Sequence, residues 1–407
     1  MKPDQFDISI PGVWTDTSEF FASLLHEEPV YEFPDGQGYM ISRYDDVRNA
    51  ASHPELFSNS RPSYGGGVPE AEAILTAEGF PAVPTLSNNN PPSHVRFRRL
   101  VARVFSPQVV SALEPDIREI ANTVIDDFGG RTEVDFVREY TDVFPSFVMA
   151  DWLGVPRVDQ RRFKAWSDDM IEVSLSPSMT PERRVECMRS YVDFQQYFAA
   201  IIEERRASPR EDAVSLLVSA RVDGERPLDV PEILELLRGF LIAGNDTTTN
   251  LLGGMMLLLL DHPEVMAEVR SDYGLIPALV EESLRFISPA SWIMRTVERP
   301  TEVGGCPVSA GGRARLLLAA ANRDGAQFEE PDVFDIHRDP TGHMAFGHGI
   351  HYCIGHLLAR AEARIALEVL FDRAADIRLA VPRESVRQKP MPGVYALKGL
   401  PVLLQYS

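Results

Sequence analysis

The sequence predicts a mainly α-helical protein with small β-sheets, and three observations carry that expectation. From Val101 to about Val218 apolar residues recur at helical spacing, broken by Pro and Gly. Pro231 to Asp261 reads as one long helix, opened by Pro and Glu in its first turn. Ile354 to Asp372 repeats the helical pattern. Strand-like pieces are confined to the two ends of the chain. They are expected to pair with one another, which makes residues 1–407 a single domain.

In chain order, "PVYEFPDGQGYMISRYDDV" reads as a hairpin about Pro34-Asp35-Gly36, followed by a helix from about Asp45. Ser58 to Asn90 is rich in Gly, Pro, Ser and Asn and reads as a long loop with at most a short helix. A loop of that length inside a compact domain is usually functional or mobile. After Val297 come short strand-like pieces ("TEVGGCPVSAGGRARLLLAAAN") and a Pro- and Asp-rich meander to Gly349. There is no internal repeat and no obvious linker.

Composition excludes several classes. With 407 residues, 44% hydrophobic and 25% charged, the chain can bury a large core. A net charge of −20 disfavours nucleic acid, which needs clustered Lys and Arg. Cysteine is scarce and widely separated (Cys187, Cys306, Cys353), as expected in a reducing cytoplasm rather than in a disulfide scaffold. The N-terminus lacks the apolar core of a signal peptide. The most apolar run, Leu251 to Leu260, is too short to cross a bilayer and reads as the buried end of the long helix. A cytoplasmic protein without a membrane segment is expected.

Chemistry concentrates in "FGHGIHYCIGHLLAR", Phe346 to Arg360, which holds His348, His351, Cys353 and His356 among three glycines. Zinc takes tetrahedral Cys and His ligation, and the spacing offers those elements. Two features argue otherwise. Helical pattern from Ile354 puts Cys353 at a helix start, where the helix dipole favours a thiolate. Gly347, Gly349 and Gly355 bracket the cysteine as they would if the backbone lay against a large flat ligand. A thiolate there could be the axial ligand of a haem iron. Haem thiolate, zinc site and inert buried cysteine all stay open at this point.

Phe346-Gly347-x-Gly349-x-His351-x-Cys353-x-Gly355 resembles the haem-binding signature of the cytochrome P450 superfamily and matches it at every fixed position. The resemblance implies the cytochrome P450 fold, with haem b between a long distal helix and a proximal loop and helix bearing the cysteine. Cys353 would be the iron ligand, and Phe346, Gly347 and Gly355 would shape its loop. "AGNDTTT" in the long helix is similar to the family's distal motif: Ala243 and Gly244 would face the haem, Asp246 would relay protons, and Thr247 would hold the oxygen and its water. Phe240, Gly244 and Thr247 share one helical face, which would line the oxygen pocket. His94, Arg98, Arg295 and His351 stand at positions that hold the haem propionates in the family. Glu282 and Arg285, with Phe334 and Arg338 downstream, resemble its structural proximal network. The acidic residue common before the paired prolines is Asn90 here.

By the same resemblance the chain would be a monomeric monooxygenase. It would insert one atom of O2 into a hydrophobic small molecule, by hydroxylation or epoxidation, with electrons from a separate ferredoxin. The substrate pocket would draw on Ser58–Asn90, the region Trp166–Met188, Phe240 to Thr247, Pro289–Met294 and Val394–Tyr395. Phe240, Ala243, Thr247, Ile293 and Val394 are its expected lining. Arg96, Arg99, Arg103, His348, His356, Arg360 and Arg364 would form a basic patch steering an acidic ferredoxin to the thiolate face. An H2O2-using peroxygenase and a non-catalytic haem-binding sensor are the alternatives. The acid–alcohol pair Asp246-Thr247 disfavours the first, and the absence of a DNA-binding or signalling segment disfavours the second.

Overall fold

The computed structural model describes residues 18–33, 36, 38–59, 68–175, 179–391 and 393–407. It is mainly helical with three small sheets, as the sequence predicts. The chain divides into two compact units: Met1–Asn59, Ile117–Asp142 and Thr247–Ser407 in the first, Ser60–Asp116 and Val143–Asp246 in the second.

In the first unit, strand pieces from the two ends of the chain share one five-stranded sheet. Its order is Val30–Glu32, Tyr39–Ile41, Arg313–Leu316, Ile293–Val297 and Phe57–Ser58. The expected hairpin is present, with Val30 opposite Ile41; Pro34 and Asp35 of its turn lie outside the described residues. Tyr39–Ile41 then runs parallel to Arg313–Leu316. The sheet buries Val30, Tyr39, Ile41, Val297 and Leu316 against Val47 and Ala51 of the helix Tyr44–Ser52. Each such aliphatic side chain, fully buried, contributes about 1.5–3 kcal/mol. A second sheet, Glu133–Asp135, Pro401–Tyr406 and Ala374–Leu379, joins the middle of the chain to its end. The strand Glu133–Asp135 interrupts the region read as helical; three residues are too few to show a period, and pairing with Pro401–Leu403 decides their conformation.

Glu282 and Arg285 sit one turn apart on the helix Ile276–Ile287, with no side-chain exposure. Arg285 donates to both Glu282 oxygens at 2.7 Å and to the carbonyls of Asn322, Pro331 and Val333 at 2.9, 2.8 and 3.2 Å. Arg338 reaches the same carboxylate at 3.6 Å, and Phe334 packs edge-on to Phe286. One buried ion pair thus ties the irregular meander to a regular helix, the structural role its resemblance implied.

The second unit is a helical stack. Thr180 caps Pro181–Ala207 by accepting from Arg183 N–H at 3.3 Å, with Pro181 in the first turn. That helix packs on Gln160–Leu175 through Phe163, Trp166, Phe194 and Phe198. Within the interval read as a loop, Pro69–Glu78 is a helix; residues 60–67 of that interval lie outside the described residues.

The long helix spans Val230–Asp261, 32 residues, about 48 Å at 1.5 Å per residue. Leu251, Leu252, Met255, Met256, Leu257 and Leu259 near its end are all buried, as expected of the apolar run. Among the described residues no helix is long and apolar enough to cross a membrane.

Candidate active site

The cysteine loop is built by two left-handed glycines, at φ +70° for Gly347 and +73° for Gly349. A Cβ on Gly349 would stand 2.6 Å from the carbonyl oxygen of Ala51, so this glycine serves chain packing. A Cβ on Gly347 would meet only Ile293 Cδ1, at 4.0 Å, so this glycine leaves open room. Gly355 has φ −85°, which any residue adopts. The Cys353 N–H donates to the Phe346 carbonyl at 2.9 Å and closes the loop. The helix begins at His356 with Gly355 as its N-cap, later than the pattern from Ile354 suggests, so Cys353 stands just before the helix. Its half-buried thiol is in no disulfide.

The four apparent metal ligands do not gather into one site. Among the described residues, the one group of His, Cys and carboxylate atoms close enough to share an ion is Asp169, Glu172 and Cys187. Arg183 occupies that group, 2.8 Å from Glu172. The zinc reading is thereby set aside.

His94 is buried at 2% exposure and shares the helix Ser93–Val101 with the half-buried Arg98. Burial first, and the Arg98 charge second, hold its imidazole below the usual range. A neutral imidazole beside a fixed cation suits a carboxylate ligand. Arg295 is 4% exposed; it donates to Asn59 Oδ1 at 3.1 Å and to the Met294 carbonyl at 2.9 Å. Asn59 carries no motif and was not legible in the sequence. His351 ends a short turn, Gly349–His351, and is half-buried.

On the long helix, Asn245 donates to Ser167 Oγ at 2.6 Å and Thr249 to the Thr141 carbonyl at 2.6 Å. Asp246 and Thr247 are half-buried, and Ala243 is exposed on a helix otherwise largely buried. Two of the expected residues sit in packed surroundings. The ring of Phe240 packs edge-on to Phe105 at 4.9 Å and stacks on Trp152 at 6.1 Å. A side chain on Gly244 would run against Met149 Sδ at 3.0 Å, so this glycine serves helix packing on the same face. The accessible stripe lies one residue over: Gly239, whose Cβ would meet nothing within 4 Å among the described residues, half-buried Ile242, and Ala243.

Ile293 is half-buried beside Gly347. Val394 bridges to Ala290 and lines, with Ile287, Ser291, Met391 and Tyr395, a cavity of about 1040 Å³ in the first unit. Thr247 and Ile293 are not among the residues that line this cavity.

The expected basic patch is smaller than its residue count. Arg96 is paired with Glu232 at 2.7 Å, Arg364 with Glu368 at 2.9 Å, and Arg360 with Glu281 at 2.8 Å. Burial and the nearby Arg48 charge push His348 below its usual range, and His356 is half-buried. Arg99 and Arg103 are exposed.

The first unit's donor set fits haem b: the half-buried Cys353 thiol, in no disulfide, with Arg295 and His351. In the second unit, His94 and Arg98 share one helix and Ala243 is small. A soft sulfur suits iron, buried cationic donors suit propionates, and side chains reduced to hydrogen or methyl suit a flat macrocycle.

The cytochrome P450 family profile matches residues 76–374. Cytochrome P450 107B1 of Saccharopolyspora erythraea is 34% identical over 387 residues, 93% of this chain and 93% of its own. Vitamin D(3) 25-hydroxylase of Pseudonocardia autotrophica is 35% identical over 408 residues, 98% of this chain and 97% of its own. The solved structure of cytochrome P450 CYP109Q5 from Chondromyces apiculatus superposes with a TM-score of 0.86 at 37% identity, covering 99% of this chain and 98% of that one. With its signature loop intact and its fold shared over nearly its whole length, this chain belongs to the cytochrome P450 family and is a haem b monooxygenase.

Proposed function

We propose that the protein inserts one oxygen atom of O2 into a hydrophobic small molecule of steroid-like bulk, by hydroxylation or epoxidation, with electrons from a separate ferredoxin and its reductase. The observation that carries this reading is the accessible stripe of the long helix. Gly239, Ile242 and Ala243 present an apolar surface with little side-chain volume, followed one turn later by the polar pair Asp246 and Thr247. Such a surface takes a broad apolar ligand and brings it next to proton-carrying groups. A relative whose name records hydroxylation of vitamin D(3), similar over 98% of this chain, supports the same class.

Haem b bound through Cys353 supplies the reductive activation of O2. The protein's own residues do the rest. The reaction consumes two electrons and two protons, one oxygen atom leaving as water and the other entering the substrate. Asp246 and Thr247 move those protons. Thr141 and Ser167 anchor the adjacent turn through Thr249 and Asn245, so the pair is held on a rigid helix. His94, Arg98, Arg295 and His351 hold the propionates. The exposed Arg99 and Arg103 give an acidic ferredoxin a local attraction on a protein of net charge −20.

The test is a Soret titration of the haem-loaded enzyme with steroids, secosteroids, terpenoids and short polar alcohols, followed by turnover under labelled O2. Bulky apolar ligands are expected to shift the band to shorter wavelength, and ferredoxin-driven product is expected to carry one labelled oxygen. Shifts confined to small polar ligands, or turnover supported by H2O2 alone, would overturn the reading.

A further inference from the structure

Phe346 opens the cysteine loop, and its carbonyl accepts the Cys353 N–H at 2.9 Å. Its ring is held by a charged cluster that no motif announces. Glu281, on the helix Ile276–Ile287, accepts from Arg360 through Nε and through Nη2, the latter at 2.8 Å. It also meets His343 Nε2 at 3.1 Å. His343 Nδ1 accepts the Ala345 N–H at 3.2 Å, which leaves the proton on Nε2 and makes that nitrogen the donor to Glu281. The third guanidinium nitrogen of Arg360 reaches His356 Nδ1 at 2.8 Å and the His356 carbonyl at 3.2 Å. Fixed at all three nitrogens, the guanidinium lies over the Phe346 ring, 4.5 Å from its centroid. The rings of His343 and His356 flank it at 5.9 and 6.0 Å.

Burial alone would raise the Glu281 carboxyl, yet its hydrogen bonds from Arg360 and then His343 bring it down to about 2. The carboxylate is therefore charged at any working pH, and the clamp is a permanent ionic feature. Glu282, the next residue, faces Arg285 and the meander instead. Two successive acids on one helix thus support two different segments.

We propose that Glu281 is a positioning residue for the cysteine loop: through Arg360 and His343 it fixes the Phe346 ring, and with it the orientation of the Cys353 sulfur toward the haem iron. Charge-assisted bidentate pairing makes the clamp stiff, and a planar guanidinium over an aromatic face makes it directional. Arg360 is then an internal strut and not a docking residue.

The test uses the haem-loaded protein. Glu281→Gln keeps the shape and removes the charge. It is expected to raise, by roughly tenfold, the fraction of ferrous–CO complex lacking the thiolate-type band, the scale of losing one charge-assisted hydrogen bond. A shift of the ferric–ferrous reduction potential should accompany it. Glu281→Asp, which keeps the charge, should restore part of both. In a Phe346→Ala background, Glu281→Gln should add almost nothing, because the clamp would have lost its target. Should Glu281→Gln load haem poorly, His343→Phe removes a single hydrogen bond from the carboxylate and is read the same way. The proposal fails if the variants change only thermal stability while CO band and potential stay wild type. It fails equally if the Glu281 and Phe346 effects add independently, or if only ferredoxin affinity changes.

Discussion

Glu362 allows a sharp test of how this fold handles a buried acid. It lies on the helix His356–Arg373 at 2% exposure, and its Oε2 makes no hydrogen bond among the described residues. Burial pushes its carboxyl well above the usual carboxylate range. The folded protein therefore keeps a proton that the unfolded chain releases above about pH 4.3, the ordinary glutamate value. Over the interval where only the unfolded form is ionised, the free energy of unfolding falls by about 1.4 kcal/mol for each pH unit. Going from about pH 5.5 to about pH 7.5 therefore weakens the fold through this one side chain, over as much of that interval as the folded carboxyl keeps its proton. Glu362→Gln is isosteric and cannot ionise, so it removes that dependence. Urea unfolding of wild type and variant at the two pH values is the assay. The variant should lose less stability on going to the higher pH, and the two should converge toward acid, where Glu362 is protonated in both states. Other titrating groups are common to the two proteins and cancel in the difference. Parallel pH dependences would show that the carboxyl ionises normally in the fold, and the reasoning would be refuted.

The remaining predictions concern the frame around the cysteine. Arg285→Leu leaves the Glu282 carboxylate buried and removes the donor to three carbonyls. Its cost should be about 3–5 kcal/mol in urea unfolding, with a lower haem-to-protein ratio; Glu282→Leu added to it should recover part of that loss. Gly349→Ala would force a left-handed residue and set a Cβ 2.6 Å from the Ala51 carbonyl, so haem retention on gel filtration should drop. Gly325→Ala, with nothing within 4 Å of the new methyl and no left-handed φ, should stay within about 0.5 kcal/mol of wild type.

Much of the fold and the cofactor class was legible in the chain because both rest on local rules. Pro231 in the first turn and the apolar run Leu251–Leu260 define the long helix through backbone geometry and side-chain period. The glycine–cysteine pattern works because φ near +70° at Gly347 and Gly349 excludes most other residues whatever surrounds them. Glu282 and Arg285 were visible as an i, i+3 pair, but such pairs are common on surfaces; only the fold gives them zero exposure and three carbonyls to hold.

What tertiary structure alone decided is which partner each side chain meets. Around "LLRGFLI" both faces of the helix are apolar, so period could not tell whether Phe240 or Gly239 faces open space; Phe105 and Trp152 settle it by packing on Phe240. The sign of Arg96 and Arg360 was plain in the sequence. Their use was not, because the carboxylates they bind, Glu232 and Glu281, lie 136 and 79 residues away. Local sequence determines conformation, whereas neutralisation of a charge and filling of a face depend on segments that only folding brings within a few ångströms.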